Sequence, residues 1–136
     1  MKFWKHLNNL QNLILIKRKS KMIDFACKEF DLNDIIKCGL GLTKTEFEIF
    51  TYFLNNRGKE SITTQVADDL KLNLTTIQKA TKKLHEKEIL IRHQKNLDNG
   101  GYVYTYEIES KAKIRFVLKK IIKNWHDKVE REIDKW

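Results

Sequence analysis

The chain has 136 residues, enough for one compact domain with appended elements and too few for two ordinary domains. Its 27 lysines and arginines exceed its 18 aspartates and glutamates, which gives a formal net charge of +9. This excess favours a polyanionic partner, with nucleic acid first and an anionic membrane surface second.

Residues 1–41 are predicted to form a helical extension. Apolar residues recur there at spacings of 4, 3 and 4, as on one side of a helix. They are Phe3, Leu7, Leu10 and Ile14, with Trp4 beside them. Polar residues interrupt this stretch and no small-residue cleavage site follows, so we expect no secretory signal and a cytoplasmic protein. Nothing in the chain approaches the run of about 20 apolar residues that spans a membrane.

A basic run at residues 17–21 is either a phosphate-binding arm or a solvated hinge. The apolar residues from Met22 to Phe30 predict a second helix or a continuation of the first. Asp31 or Asn33 could then cap a short helix before the glycines that follow.

Thr43 and Glu46 have the spacing of a capping box, which predicts a helix from about Lys44 to Asn55. The segment 60–62 is short enough to be the small first strand of a winged domain. Thr63 is positioned to cap the next helix.

Asn73 is the predicted cap of a further helix that runs to about Lys87. Steps of 100° per residue place Ala80, Thr81 and Leu84 within about 60° of Ile77, as a core-facing side. The opposite side carries four polar or basic residues and no acid before position 86. They are Thr75, Gln78, Lys79 and Lys82.

Two strands are predicted at Ile89–Lys95 and Tyr102–Ile108, joined by a loop whose Asn-Gly step supplies the positive φ values of a tight hairpin. Ser110 then begins a helix that runs to the end of the chain. At ~1.5 Å per residue this helix would reach about 39 Å, more than a lone winged domain needs to cover itself. We therefore expect a two-fold helical interface, rather than packing within one subunit.

The order of helix, turn, helix and hairpin over residues 42–108 resembles that of winged helix-turn-helix transcriptional regulators of the MarR and TrmB type. The segments that carry this resemblance are Leu42–Glu46, Gln65–Leu70, Leu72–Ile77 and Leu84–Leu90. It implies that the helix at 74–87 enters the major groove and that the hairpin is a wing. The flanking helices would form a homodimer.

The resemblance has two departures, since the family often has glycine where this chain has Lys71 and Glu88. A residue other than glycine at positive φ costs of order ~1 kcal/mol. The family's wing tip also often carries arginine, whereas this loop has Asp98.

The predicted contacts form two sets. The residues expected to contact DNA are Thr64, Leu74, Thr75, Thr76, Gln78, Lys79, Lys82, Lys83, Arg92, His93 and Lys95. The residues expected at the dimer interface are Trp4, Leu7, Leu10, Ile14, Ile114, Leu118, Ile121, Trp125 and Val129.

No metal, cofactor or catalytic site is predicted. The four histidines lie on different predicted elements and lack the spacing of metal ligands. Cys27 and Cys38 lack the spacing of a zinc site or a disulfide framework and are expected to be small, buried, reduced core residues. No phosphate loop or nucleophile elbow can be assembled, so we do not expect an enzyme.

The predicted fold is mainly α with a small β-hairpin wing: a helical extension at 1–41, a winged helix-turn-helix domain at 42–109 and a long dimerisation helix at 110–136. The predicted function is a sequence-specific transcriptional regulator that binds double-stranded DNA as a homodimer. The main alternative is a protein-interaction module in a transcription or replication assembly, because residues 39–109 carry ten bases and ten acids. A third hypothesis, attachment to a membrane surface, depends only on the first predicted helix and the basic run.

Overall fold

The computed structural model describes residues 22–136. The predicted first helix with Trp4, Leu7, Leu10 and Ile14, and the basic run at 17–21, lie outside the described residues.

The described part is mainly helical, with five helices and five strands. In chain order they are β1 (Met22–Phe25), β2 (Lys28–Asp31), α1 (Leu32–Gly39), α2 (Lys44–Asn55), β3 (Ser61–Ile62), α3 (Thr63–Leu70), α4 (Leu74–Glu86), β4 (Leu90–Asn96), β5 (Tyr102–Ile108) and α5 (Lys111–Asp134). Strands β1 and β2 form one antiparallel hairpin, and β3, β5 and β4 form a second antiparallel sheet with β5 in its centre.

The core lies between helices α2 to α4, the sheet that contains β5 and the first turns of α5. Its largest fully buried side chains come from every one of these helices except α5, and include Phe53, Ile49, Val66, Ile77 and Leu84. Tyr106 and Ile108 add the inner face of β5, and Ile114 and Val117 add the start of α5. Burial of these side chains is the main stabilising contribution to the fold.

Three of the four predicted helix N-caps are confirmed. The Thr43 hydroxyl accepts from the Glu46 backbone N–H while the Glu46 carboxylate accepts from the Thr43 N–H, as a capping box requires. Asn73 Oδ1 accepts from the Thr75 N–H at 2.8 Å, and the Ser110 hydroxyl accepts from the Lys113 N–H. Asp31, one of two candidates, caps α1.

The helix predicted over Met22–Phe30 is wrong, because this segment is the β1–β2 hairpin. Ile23 pairs with Phe30 and Asp24 with Glu29, and the chain reverses through Ala26, which has a φ of 54°. Apolar residues at positions 23 and 25 fit the two-residue period of a strand as well as they fit a helical stripe. Short apolar runs are ambiguous in this way.

Two smaller predictions are also wrong. Cys27 and Cys38 are exposed rather than buried, since Cys27 lies in the hairpin turn and Cys38 on the outer side of α1. Thr63 does not cap α3, because the helix begins at Thr63 itself and Ile62 occupies the cap position without a side-chain hydrogen bond.

No helix within residues 22–136 is long and apolar enough to cross a bilayer.

Candidate nucleic-acid interface

The turn between α3 and α4 fixes the angle between the two helices. Lys71 ends α3 in the left-handed conformation, with φ 55° and ψ 42°, and its backbone N–H donates to the Ala67 carbonyl. The Leu72 N–H donates to the same carbonyl at 3.1 Å. This is the left-handed C-terminal cap that glycine usually provides, here formed by a lysine.

Helix α3 is held in place by a hydrogen bond to α2. The Tyr52 hydroxyl donates to Asp69 Oδ2 at 2.7 Å. Burial of the tyrosine, together with this bond to a carboxylate, raises the pKa of Tyr52 above its ordinary value. The phenol therefore remains a neutral donor and ties the two helices together.

Helix α4 has a buried side and an exposed side, as its sequence predicted. Ile77, Ala80, Thr81 and Leu84 are buried, and the Thr81 hydroxyl is satisfied by donation to the Ile77 carbonyl at 2.9 Å. The opposite side is exposed to solvent. It carries Thr75, Gln78, Lys79 and Lys82.

Lys79 and Lys82 form no ion pair within residues 22–136, so both ammonium groups are presented to solvent. Of the other predicted contacts on these helices, Leu74 and Thr64 are exposed at the first turns of α4 and α3, and Thr76 is half-buried. All of these residues except Thr76 are therefore exposed on α3 or α4.

Lys83 is placed differently from the other two lysines of α4. Its Nζ lies 2.9 Å from Glu46 Oε2 and donates to the Gly41 carbonyl. Although burial opposes ionisation of Glu46, hydrogen bonds from Lys83 and Thr43 outweigh it and hold the pKa of Glu46 below its ordinary value. Lys83 therefore ties α4 to the start of α2 instead of facing solvent with Lys79.

Strands β4 and β5 form the wing, and Arg92 is its accessible base. The Arg92 guanidinium lies over the Tyr104 ring, 4.4 Å from the ring centroid, and the Tyr102 ring packs against Tyr104 with centroids 5.2 Å apart. Planar guanidinium groups stack on aromatic faces in this way and remain able to donate at their edges. At the tip, positive φ values occur at Gly100 and Gly101, and Asp98 is exposed.

The other two predicted wing contacts, Lys95 and His93, lie close to acids. Lys95 Nζ lies 2.7 Å from Glu60 Oε2, and His93 Nε2 lies 3.4 Å from Glu107 Oε2. The Lys95 ammonium and the Thr105 hydroxyl hold the pKa of Glu60 below its ordinary value. Sequence reasoning missed both acids. The register of the predicted hairpin could have identified Glu107, because His93 pairs with Thr105 and Glu107 lies two residues further along the same face. Glu60 lies outside the hairpin and had no such signal.

The predicted interface residues on helix α5 fall into two groups, one packed in or against the core and one exposed. Ile114 is only 7% exposed and belongs to the subunit's own core, and Leu118 and Ile121 pack against that core. A Cβ at Gly39 of α1 would lie 3.4 Å from Ile121 Cγ2, an ordinary contact distance, so α1 and α5 pack against each other at this point. Ile114 therefore has little surface left for the dimer contact that its sequence pattern predicted.

The second half of α5 extends beyond the domain with its apolar residues exposed. Trp125 is 61% exposed and Val129 is 38% exposed, and Ile133 lies on the same side of the helix. Trp136, two residues beyond the end of the helix, lines the same surface depression as these residues. Within the described residues, nothing covers this surface.

Helices α3 and α4, the turn between them and the β4–β5 wing define a winged-helix domain. Residues 29–132 match the DnaD N-terminal domain family, and the chain belongs to that family. Because this is a different family from MarR and TrmB, the narrower resemblance to those regulators is not confirmed.

Similar proteins come from archaea. A protein from Methanosarcina mazei, described as a possible transcriptional regulator, is 48% identical, with a TM-score of 0.80 over 87% of this chain and 98% of its own. A protein from Sulfolobus tokodaii is 26% identical, with a TM-score of 0.58 over 71% of this chain and 92% of its own. An uncharacterised protein from Methanocaldococcus jannaschii is 26% identical over 76% of this chain and 84% of its own length.

Proposed function

We propose that this protein is a transcriptional regulator that binds specific sites on double-stranded DNA as a homodimer. The description of the Methanosarcina mazei relative as a possible regulator supports the class. The winged-helix fold supplies an exposed second helix of the dimensions that the major groove accepts.

The observation that carries the proposal is the outer side of α4. Gln78, Lys79 and Lys82 are exposed, and neither lysine is neutralised by an acid within residues 22–136. Glutamine can pair with adenine, and lysine with guanine or phosphate. In contrast, Lys83 is paired with an acid of the same domain. Among the three lysines of α4, therefore, only Lys79 and Lys82 are free for a polyanion.

In this proposal the wing contributes less than α4. Arg92 is its available base, since Lys95 and His93 lie against Glu60 and Glu107. An exposed Arg92 stacked on Tyr104 is suited to a phosphate or to the edge of the minor groove. The acidic Asp98 at the tip disfavours a phosphate contact there.

Homodimerisation is proposed through the exposed end of α5. One short reading helix contacts too few base pairs to select a site alone, so two copies are needed. The exposed apolar stripe from Trp125 to Ile133 offers a self-complementary surface for a two-fold contact. The half-sites would then lie about one helical turn apart, or a multiple of it.

The proposal is tested by selecting bound duplexes from a randomised pool and measuring affinity for the selected duplex over a salt series. We expect a pseudo-palindromic sequence and a log–log salt slope of about −3.6 or steeper, if Lys79 and Lys82 of both copies each neutralise one phosphate. A duplex of shuffled sequence is the matched control. Affinity that does not change with salt, or that is equal for both duplexes, would refute sequence-specific binding.

A second candidate is a protein-interaction module, favoured by the exposed apolar end of α5 and by the ten bases and ten acids of residues 39–109. A fold does not determine function, and a winged domain can bind a protein without contacting DNA bases. It predicts a salt-insensitive association with a different protein and no enrichment of any duplex in the selection.

A further inference from the structure

Three residues with metal-binding side chains meet on the outer face of the three-stranded sheet. Glu60 precedes β3, His93 lies in β4 and Glu107 lies in β5. Ser61 pairs with Tyr106 and His93 with Thr105, so the antiparallel register turns all three side chains to one face. One ligand atom from each lies within 4.8 Å of the other two.

The imidazole of His93 gives the sharpest indication of a missing ligand. Its Nε2 is buried and makes no hydrogen bond to any of residues 22–136, although it lies 3.4 Å from Glu107 Oε2. A ring nitrogen that is shielded from water and makes no hydrogen bond is costly. Two ligands bound at about 2.1 Å to one tetrahedral ion are about 3.4 Å apart, which matches the separation of this nitrogen and oxygen.

We propose that Glu60, His93 and Glu107 bind a divalent transition-metal ion, with zinc the best fit. One imidazole nitrogen and two carboxylates suit zinc and its first-row neighbours, whereas calcium and magnesium prefer oxygen ligands alone. Three protein ligands leave a fourth position for water or another donor. The ion would connect the segment before β3 to both strands of the wing and so fix the wing on the sheet.

Lys95 is paired with Glu60 and would compete with the ion for this carboxylate. Its ammonium lies 2.7 Å from Glu60 Oε2, and the Thr105 hydroxyl donates to the same oxygen at 2.8 Å. Both interactions keep Glu60 ionised, as a metal ligand must be. The flexible stem of Lys95 allows its ammonium to leave when the ion binds. This site could not be predicted from spacing, because its ligands lie on three separate segments of the chain.

The test is titration of the full chain, freed of metal, with Zn²⁺ in a calorimeter and without DNA, so its result is independent of the DNA-binding proposal. We expect one Zn²⁺ per chain. His93→Gln and Glu60→Gln should each weaken binding by about tenfold or more. Lys95→Gln should tighten it, an effect that misfolding cannot produce.

The matched control is His126→Gln, which alters the other group of His, Asp and Glu in residues 22–136, formed by His126, Asp127 and Glu130 on α5. This variant should bind Zn²⁺ as the parent does. The proposal is overturned if the parent binds no stoichiometric Zn²⁺, if the loss occurs in His126→Gln instead of His93→Gln, or if Lys95→Gln weakens binding.

Discussion

At the scale of single residues, the chain accepts strain where its turns need a left-handed residue. Lys71 has a φ of 55° and Glu88 a φ of 62°, and these are the two positions where the resemblance led us to expect glycine. Both turns keep their geometry without it, since each is held by neighbouring hydrogen bonds such as that from the Leu72 N–H to the Ala67 carbonyl. The resemblance therefore predicted two of the three positive-φ positions without glycine in residues 22–136, and Ala26 of the β1–β2 hairpin is the third.

Lys71 allows this strain to be measured. Lys71→Gly removes the steric cost of the left-handed conformation but adds flexibility to the unfolded chain, so we expect the free energy of unfolding to rise by up to about 1 kcal/mol. Lys71→Val should lower it, because a β-branched residue fits positive φ worst. Urea denaturation measures both variants, which lose the same charge. A valine variant as stable as the glycine variant would contradict the left-handed turn.

Charge pairing is the part of the candidate interface that the sequence did not predict. The 100° step per residue separated the buried from the exposed side of α4, because a helix has a fixed period. It could not show that Lys83 reaches Glu46, or that Lys95 reaches Glu60, since these acids come from elements distant in sequence. Local periodicity predicts which way a residue faces, but tertiary packing decides whether its charge is free.

At the scale of elements, prediction succeeded where caps and periods were both strong. Helices α2 and α4 begin after the predicted caps at Thr43 and Asn73, and β5 spans the predicted residues. The β1–β2 hairpin was missed because its few apolar residues fit two periods. The apolar residues of α5 lie on one side of the helix, as predicted, but those of its first half pack in or against the subunit's own core.

The dimer contact proposed for the exposed second half of α5 can be tested with two aromatic residues. They are equally exposed and lie on opposite sides of the helix. Trp125 lies on the apolar stripe and Phe116 about 180° away, and each is 61% exposed. We expect Trp125→Ala combined with Val129→Ala to yield monomers in light scattering, because truncation of a central aromatic removes a main contact. Phe116→Ala should leave the mass unchanged. A parent protein that is monomeric at high concentration would exclude this interface.

At the scale of the whole molecule, the net positive charge lies outside the winged domain. Residues 39–109 carry ten bases and ten acids, whereas residues 110–136 carry nine bases and four acids. The net charge therefore contributes more to the long-range attraction of a polyanion than to the charge of the outer side of α4. Site selection would depend on the few unpaired bases of α4, presented twice by a dimer.

The most direct measurement of the central claim is the affinity of lysine variants for the selected duplex, because the lysines differ only in where the fold places them. Lys79→Ala and Lys82→Ala should each weaken binding by about 1 to 3 kcal/mol if they reach bases, and by less if they contact only phosphate. Lys83→Ala, which removes a lysine held by Glu46, and Lys119→Ala, on the exposed side of α5, should weaken binding less. Equal effects of all four variants would contradict DNA reading by α4.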